Sequence, residues 1–296
     1  MTKPLVSITI PAYKPAHFEA SLRSAIAQSY PNIEILVSDN CPSEAIHEIC
    51  QRFPQVQYRR NPHTGVANVA ASLMAGQGEF IKPLFDDDIL HPFCVERMVQ
   101  AMQLSPAIEL VFSASAIIDG QNMRQQERRP FQQHGMVDGR QLYRWLAMGP
   151  VNVIGELTSI LLRRATLQAL GQDGLFRIGE HDFALGLADA ALYCLVLRDR
   201  QGYYVDEELT YFRRDAAHAS NSNPAANPHY GRCLSDGIDL LLAGYHQQVL
   251  SGADLLASQA TVTTLARDAG AAYPQVLAAY QRYLLTLAQL PPNHVS

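Results

Sequence analysis

Three consecutive carboxylates, Asp86, Asp87 and Asp88, end an apolar run that begins at Ile81. Adjacent negative charges repel one another, so the arrangement is costly unless a positive group lies among them. Carboxylate oxygens are suitable ligands for a hard divalent cation, which can bridge to a diphosphate. The alternative is that the aspartates cap a helix that begins near Pro92, since the helix dipole favours negative charge there. The triplet alone favours neither interpretation.

The residues before the triplet alternate between strand and helix patterns. Short apolar, often β-branched runs predict strands at 5–10, 33–37, 56–60 and 80–84. Apolar residues at helical spacing predict helices at 18–26, 46–53 and 66–74, and a further helix after Pro92. This alternation predicts βαβ units and a mostly parallel sheet, in which ligands bind at the carboxyl ends of strands. The predicted fold class is therefore α/β, with the triplet at the ligand-binding edge.

The rest of the chain is less regular. The sequence predicts one or two strands at 108–118, further strands at 159–162, 203–206 and 210–214, helices at 142–148, 165–171 and 180–197, and a polar loop or irregular hairpin at 119–139. Residues 215–230 are small and polar and predict a mobile loop. Two apolar stripes predict C-terminal helices that pack on the domain or on a second subunit: Ile238, Leu241, Leu242 and Tyr245, then Leu277, Tyr280, Leu284 and Leu287.

Composition excludes several classes of protein. The 296 residues are 48% hydrophobic and 17% charged, as in ordinary globular proteins. A net charge of -5 argues against a nucleic-acid surface. Five scattered cysteines without a C-x-x-C pair predict reduced thiols in a cytoplasmic protein. No apolar run approaches the roughly 20 residues of a spanning helix, so no transmembrane segment is expected, and peripheral association with a membrane stays open.

The sequence resembles the inverting glycosyltransferases of family 2, whose catalytic domain has the GT-A fold, over about residues 4–222. Five blocks match in order, at 6–13, 34–40, 86–88, 180–182 and 205–214. The resemblance implies a catalytic domain at 1–215, with a nucleotide-sugar half at about 1–105 and an acceptor half at about 106–215. Residues 216–296 then form a loop and a helical C-terminal extension.

The resemblance also implies an activity. The enzyme would move a sugar from a nucleoside-diphosphate sugar, usually a UDP-sugar, to the hydroxyl of a glycan or lipid-linked acceptor. Mg²⁺ or Mn²⁺ would be held by the D-x-D motif, and attack from the face opposite the leaving group would invert the anomeric centre. Assembly of a surface polysaccharide or another glycan is the expectation for the class.

Nucleotide binding is assigned by the resemblance to the first-strand turn, Pro11-Ala12-Tyr13, and to Asp39 after the second strand. Tyr13 can stack on a ring, and Asp39 can accept a hydrogen bond from a ring N–H or a ribose hydroxyl. The alternatives are that Tyr13 packs at the rim and that Asp39 caps a turn or helix. Four further residues complete the predicted nucleotide-binding set: Asn68, Asp86, Arg213 and Arg214.

The triplet departs from the commonest family pattern, which is D-x-D-D followed four residues later by Pro. Counting back from Pro92 places Phe85 at the first acidic position and Asp87 and Asp88 at the last two. Asp87 is therefore the best metal ligand, Asp88 is the second, and Asp86 is a helper that faces ribose, water or helix N–H groups. Because Phe85 has no carboxylate, the sequence argues against a metal site with two carboxylate ligands like that of the commoner pattern.

Asp182 falls where the family carries its general base. An acceptor hydroxyl is a poor nucleophile until a positioned carboxylate takes its proton. Helix capping is the alternative role for Asp182, and Glu180 is the competing candidate for the base. His181 is expected to orient a neighbour or to point to solvent.

Positive charge near the diphosphate is the remaining requirement. The family often has a histidine after the Tyr-Arg block, and here that position is Asp215. Either His218 acts from a shifted loop, or Arg213 and Arg214 supply the charge alone. Lys82 could approach the diphosphate, although a snorkelling lysine is the simpler interpretation.

Two features at motif positions, Phe85 and Asp215, suggest an alternative function. The chain could be a catalytically inactive relative that binds a nucleotide sugar or a glycan as an accessory subunit. The apolar stripes of the C-terminal helices also allow a homodimer.

Overall fold

The computed structural model describes residues 3–149, 152–214 and 227–291. These residues form two compact units. The sheet unit lies within Met1–Asp138, Ile154–Leu175 and Arg200–His218, and the helical unit lies within Gly139–Val153, Phe176–Asp199 and Ala219–Ser296. The boundaries differ from the predicted split at residue 215, because the helical unit also includes two segments from the middle of the chain.

The secondary structure alternates between strands and helices. The strands are β1 (Val6–Ala12), β2 (Ile33–Asp39), β3 (Val56–Arg60), β4 (Phe80–Pro83), β5 (Ile89–Leu90), β6 (Ile108–Ile118), β7 (Arg124–Arg128), β8 (Gly135–Asp138), β9 (Ile160–Arg163), β10 (Arg177–Ile178), β11 (His181–Asp182) and β12 (Gln201–Arg213). The α-helices are α1 (Phe18–Ile26), α2 (Ala45–Cys50), α3 (Val66–Ala75), α4 (Cys94–Met102), α5 (Gly139–Met148), α6 (Arg164–Leu170), α7 (Ala188–Leu197), α8 (Tyr230–His246), α9 (Gly252–Ala269) and α10 (Pro274–Ala288).

The large sheet has the strand order β3-β2-β1-β4-β9-β6-β12-β5. Strands β3, β2, β1 and β4 pair in parallel, and so do β6 and β12, whereas β9 is antiparallel to both β4 and β6. Ala12 pairs with Asp39, and Thr9 with Pro83, so the carboxyl ends of β1, β2 and β4 share one edge. The sheet is mostly parallel and is flanked by helices, as predicted.

The first helix shows why the sequence folds in this way. Phe18, Leu22 and Ala25 repeat at helical spacing and are all buried in α1. They belong to one apolar core with Ile8 and Ile10 of β1, which itself is buried on both faces. Burial of this stripe fixes the helix against the sheet and leaves the strand ends to carry the polar residues.

The segment 119–139 differs from the predicted loop or irregular hairpin. Strands β7 and β8 do not pair with each other, because β7 pairs with β6 and β8 pairs with β12. Strand β7 is largely exposed, so its polar sequence carries no apolar alternation. The strands predicted at 203–206 and 210–214 are the single strand β12, whose pairing shifts register between Val205 and Thr210.

The helical unit contains α5, α7, α8, α9 and α10, with α8 packed against α5, α9 and α10. It also contains the short antiparallel hairpin β10–β11, whose turn includes Gly179 at a φ of 60°. The prediction of a helix from residue 180 is therefore wrong at its start. Helix α7 begins at Ala188, and its N-cap is Leu187, so Asp182 does not cap it.

The last helix buries a different stripe from the predicted one. Val276, Ala279 and Tyr283 are buried in α10, whereas Leu277 is 43% exposed and Leu284 is 39% exposed. Both stripes have helical spacing, so the sequence alone could not choose between them. The homodimer remains a proposal.

Among the described residues, no helix combines the length and apolar character needed to cross a bilayer. The mobile loop predicted at 215–230 lies outside the described residues as far as residue 226, and α8 begins at Tyr230.

Candidate functional site

The three carboxylates that follow β4 have different surroundings. Asp86 is buried, and its Oδ2 accepts hydrogen bonds from the backbone N–H groups of Tyr13 and Lys14, each at 2.6 Å. Burial and the neighbouring Asp87 raise the pKa of Asp86 to about 6, against the opposing effect of the two amides. Asp86 thus fixes the turn after β1.

Asp88 is fully buried. Its Oδ2 accepts a 2.5 Å hydrogen bond from the Thr158 hydroxyl, and its Oδ1 accepts a 3.0 Å bond from the backbone N–H of Arg213. Burial, and then Asp87, raise the pKa of this carboxyl well above its usual range. Both oxygens are bound by the protein inside the core, so Asp88 is not placed to bind a metal.

Asp87 is the partly exposed member of the triplet, with 21% of its side chain accessible. Its Oδ2 lies 3.3 Å from Nζ of Lys14, and its backbone carbonyl accepts a 2.7 Å hydrogen bond from Nε of Arg213. Lys14 was not among the predicted site residues, although its position directly after Tyr13 is a signal that could have pointed to it.

The Arg213 guanidinium is buried and binds protein acceptors. Besides the Asp87 carbonyl, it donates to the Asp119 carbonyl and to Oδ1 of Asn122, each at 2.5 Å. It therefore fixes the loop of the triplet, which differs from the predicted contact with a diphosphate. Arg214 is exposed. The other candidates for this charge, Asp215 and His218, lie outside the described residues.

Lys82 is fully buried and does not snorkel. Its Nζ donates to the backbone carbonyls of Pro83 and Thr158, and burial lowers its pKa. Thr158 therefore joins Lys82 to Asp88. Nothing in the local sequence marked Thr158, because it is brought to the triplet only by the pairing of β9 with β4.

The structure also rejects the capping interpretation of the triplet. Helix α4 begins at Cys94 and its N-cap is Phe93, and the Val95 amide in its first turn donates a 2.9 Å hydrogen bond to Oε1 of Gln28 rather than to an aspartate of the triplet. The N–H groups that Asp86 binds belong to the turn after β1 instead.

Asp39, at the end of β2, is fully buried. Its Oδ2 accepts hydrogen bonds from the Tyr58 hydroxyl at 2.8 Å and from Arg60 at 2.7 Å, and its Oδ1 accepts one from the Cys41 amide at 2.7 Å. Burial, and then the bond to Asp39, raise the pKa of Tyr58 to about 12. The carboxylate charge is compensated within the protein.

Asn68 of α3 is buried and connects the loops that follow β2 and β3. Its amide nitrogen donates to the Ser38 carbonyl at 2.9 Å and to Oδ1 of Asn40 at 2.8 Å. Its Oδ1 accepts from the Ser38 hydroxyl at 2.6 Å and from Asn61 at 2.9 Å. These four bonds use the hydrogen-bonding capacity of the amide, so Asn68 shapes the edge of the sheet.

The first-strand turn places one aromatic ring at this edge. Ala12 is buried, whereas Tyr13 is 55% exposed. The Tyr13 backbone is fixed by Asp86, and Ala12 pairs with Asp39 on the neighbouring strand. The structure thus brings together the predicted residues Tyr13, Asp39 and Asp86 at the carboxyl ends of parallel strands.

Asp182 lies on β11 in the helical unit, and 51% of its side chain is exposed. Its Oδ1 accepts a 3.0 Å hydrogen bond from the Ala184 amide, and its Oδ2 lies 3.7 Å from Arg177. The competing candidate, Glu180, is exposed next to the hairpin turn. Asp182 therefore presents a solvent-accessible carboxylate whose backbone is held in a hairpin.

A metal at the sheet edge would be held by Asp87. Within the described ranges, no group of three or more His, Cys, Asp or Glu residues could hold a metal ion. Mg²⁺ is commonly bound through one or two carboxylates together with substrate phosphates and water. The partly exposed oxygens of Asp87 fit that mode, and the buried Asp88 does not.

Comparison with known proteins identifies the family. The model of the family described as glycosyl transferase family 2 matches residues 7–169, which is more than half of the chain. An uncharacterized glycosyltransferase of Haemophilus influenzae is 24% identical over 230 residues, covering 75% of this chain and 73% of that protein. TuaG of Bacillus subtilis, named as a proposed teichuronic acid biosynthesis glycosyltransferase, is 28% identical over 108 residues, 34% of this chain and 42% of that protein.

An uncharacterized protein of Sinorhizobium fredii is 24% identical over 251 residues, and this chain spans only 25% of its length while 79% of the chain is covered. Among solved structures, S. aureus TarS 1–349 in complex with UDP-GlcNAc matches with a TM-score of 0.66 and 13% identity, covering 98% of this chain and 82% of that one. The fold is of the GT-A type, as predicted.

Proposed function

We propose, from the premise that this chain belongs to glycosyl transferase family 2, that it transfers a sugar from a nucleoside-diphosphate sugar to an acceptor hydroxyl with inversion of the anomeric centre. The observation that carries the proposal is the shared edge of β1, β2 and β4. There the exposed ring of Tyr13 and the partly exposed carboxylate of Asp87 lie at the carboxyl ends of parallel strands, where α/β sheets bind ligands.

The donor we propose is a UDP-sugar, which the sheet edge would bind through its base and diphosphate. UDP-GlcNAc is the ligand named for the TarS complex. The exposed face of Tyr13 can stack on the base. Because Asp39 is enclosed by Tyr58 and Arg60, its role in the proposal is to hold the ends of β2 and β3 beside that ring. Arg60, 42% exposed, can also face the ligand.

Negative charge on the diphosphate would be met by a metal ion held by Asp87 and by the ammonium group of Lys14. Asp87 would hold Mg²⁺ or Mn²⁺, which stabilises negative charge on the departing diphosphate when bound. Lys14, 3.3 Å from Asp87, compensates the carboxylate charge and is placed to contact a phosphate oxygen. Arg213 supports this arrangement through the Asp87 backbone.

Asp182 would act as the general base. Its carboxylate takes the proton of the acceptor hydroxyl while the acceptor oxygen bonds to the anomeric carbon, and the bond from that carbon to the diphosphate breaks. The Ala184 amide holds Oδ1, and Oδ2, which lies 3.7 Å from Nη1 of Arg177, is the oxygen that would take the proton. The proposal also includes a glycan or lipid-linked acceptor, a role in polysaccharide biosynthesis and a cytoplasmic location. The name of the relative TuaG supports the role in polysaccharide biosynthesis.

Calorimetric titration of UDP, GDP, dTDP and CDP, with and without Mn²⁺, tests the donor site. We expect one nucleotide to bind, more tightly with Mn²⁺, and binding to be lost in Asp87→Ala. Asp173→Ala, which removes an exposed aspartate of the sheet unit, is the matched control and should bind as the wild type does.

Absence of binding by every nucleotide would overturn the transferase proposal. Binding without release of UDP from UDP-sugars or their counterparts would favour the accessory-subunit alternative that Phe85 suggests.

A further inference from the structure

Helix α8 carries three charged residues on one face, Arg232, Asp236 and Asp239, at positions i, i+4 and i+7. Both aspartates are buried. A buried ion pair adds little to stability in comparison with apolar packing, because the charges must be removed from water. The two buried aspartates and the partly exposed Arg232 therefore require a geometric explanation, and each of the three leads to the segment 181–187.

Arg232 joins the helix to the strand that carries Asp182. Its Nη2 donates a 2.5 Å hydrogen bond to the backbone carbonyl of Asp182, and its Nε lies 2.8 Å from Oδ1 of Asp236. One guanidinium thus binds the backbone of the proposed base and an anchor on α8. The contact with Asp182 is a hydrogen bond, whereas the contact with Asp236 is an ion pair without hydrogen-bond geometry.

Asp236 holds the turn that follows. Its Oδ2 accepts a 3.1 Å hydrogen bond from the Leu187 amide. A Cβ atom at Gly186 would lie 2.3 Å from the same oxygen, so the turn rests on α8 without an intervening side chain. The backbone is therefore held at Asp182 itself, by Arg232, and again at Leu187, by Asp236.

Asp239 connects the motif to α10. Arg282 of α10 places Nη2 at 2.8 Å from both carboxylate oxygens of Asp239, and Nδ1 of His181 lies 3.7 Å from Oδ1 of the same residue. Successive side chains of a strand point to opposite faces. With His181 turned toward α8, the Asp182 carboxylate is directed to solvent.

We propose that Arg232, Asp236, Asp239 and Arg282 are positioning residues for Asp182, and that α8 and α10 thereby take part in sugar transfer. The inference rests on the proposed role of Asp182 as the base. It assigns the C-terminal helices a task in catalysis: they fix the direction of one carboxylate through its backbone and through His181.

Two substitutions test the proposal, Arg232→Ala and Arg282→Ala. Because Arg282→Ala removes the bidentate partner of the buried Asp239 and leaves it with His181 at 3.7 Å, Arg282→Lys is measured beside it, as it keeps the charge and loses the bidentate fork. The matched control is Arg144→Ala. Arg144 of α5 makes an equivalent bidentate pair with Asp254 of α9, at 2.6 and 2.7 Å, in the same unit.

Hydrogen–deuterium exchange of the segment 177–187 gives a readout that needs no activity. We expect faster amide exchange in this segment in Arg232→Ala and Arg282→Ala, and wild-type exchange there in Arg144→Ala. Equal exchange in all three variants would overturn the positioning role.

Release of UDP from UDP-GlcNAc gives the catalytic readout. We expect kcat to fall by about 10- to 100-fold in Arg232→Ala and Arg282→Ala, as for other misplaced catalytic groups, with the KM for the donor unchanged and a smaller loss in Arg282→Lys. In the Asp182→Asn background the same substitutions should cause no further loss, because they act through that carboxylate.

An equal fractional loss in both backgrounds, or the same loss in Arg144→Ala, would reduce the network to ordinary structural support and overturn the proposal. A wild-type protein that releases no UDP would instead count against the proposed function, and the exchange experiment would then decide on the positioning alone.

Discussion

The two acidic motifs of this protein use the same residue type in opposite ways. In the sheet unit, Asp86 and Asp88 are buried and bind backbone amides and a hydroxyl, so two of three carboxylates build the loop that presents Asp87. In the helical unit, the carboxylate of Asp182 is exposed, and other charged side chains hold its backbone. Burial and hydrogen-bond partners thus decide which of these carboxylates the protein encloses and which remain accessible to solvent.

The contrast between the two motifs is tested most directly by removing the charge of the exposed carboxylate, Asp182. Asp182→Asn should lower the rate of sugar transfer by about 10²- to 10⁴-fold, the usual contribution of a general base. Stability should change by no more than about 0.5 kcal/mol, as for other surface substitutions. Turnover assays and urea denaturation measure the two quantities. Full activity in Asp182→Asn would assign the base to another residue, with Glu180→Gln the next variant to examine.

A pH experiment tests how burial affects the ionisation of a carboxylate in the helical unit, Asp236. Burial, the largest influence on Asp236, raises its pKa to about 6 from 3.8. Between about pH 4 and 6 this carboxyl therefore binds more protons in the folded state than in the unfolded state, so its contribution to stability falls as the pH rises through this window.

Asp236→Asn lacks this titration. The stability of the wild type relative to the variant should fall by at most about 3 kcal/mol between pH 4 and 6 and stay level above pH 6. Urea denaturation across this range is the measurement. A difference that is independent of pH would show that Asp236 ionises at its ordinary pKa.

The supporting role of Asp88 is tested through its hydroxyl donor. Thr158→Val leaves Oδ2 of the buried carboxylate without its 2.5 Å partner and should cost about 1–3 kcal/mol. Thr210→Val is the matched control, because Thr210 is equally buried and its hydroxyl makes a weaker, 3.5 Å hydrogen bond to the Ser159 hydroxyl among the residues that the structure describes. Equal losses of unfolding free energy in the two variants would mean that Asp88 does not depend on Thr158.

Two glycine substitutions test how closely the turn after Asp182 packs against α8. Gly186→Ala would force a Cβ to 2.3 Å from the Asp236 carboxylate and should cost about 1–3 kcal/mol. Gly237→Ala, one residue beyond Asp236 in α8, meets open space and should stabilise the protein by about 0.5–1 kcal/mol. Thermal or urea unfolding gives both values, and a neutral Gly186→Ala would show that the turn can move away from α8.

Local patterns were sufficient for most elements of the first hundred residues. Strand β3 was predicted at its observed bounds, and α1, α3 and β4 were predicted to within a residue or so. These elements are short, and each carries its own apolar run or helical stripe in the local sequence. The position of the triplet at the end of β4 followed from the same alternation.

The same local patterns do not predict which distant strands pair with each other. Strand β9 lies antiparallel between β4 and β6 and brings Thr158 to Asp88. The sequence around Thr158 contains no pattern that predicts this contact. The choice between the two apolar stripes of α10 likewise depends on which face meets α8 and α9. The accessibility of Asp87, in contrast to Asp86 and Asp88, is set by partners as distant as Arg213.

The helical unit is assembled from three separated stretches of the chain, 139–153, 176–199 and 219–296. During synthesis, the strand that carries Asp182 leaves the ribosome well before Arg232, and Arg282 follows later still. The nascent chain must therefore hold this strand without its final partners until α8 and α10 appear, and a product cut before α10 would contain Asp239 without Arg282. Degradation of such incomplete chains would therefore also remove molecules in which the strand of Asp182 lacks its contacts with α8 and α10.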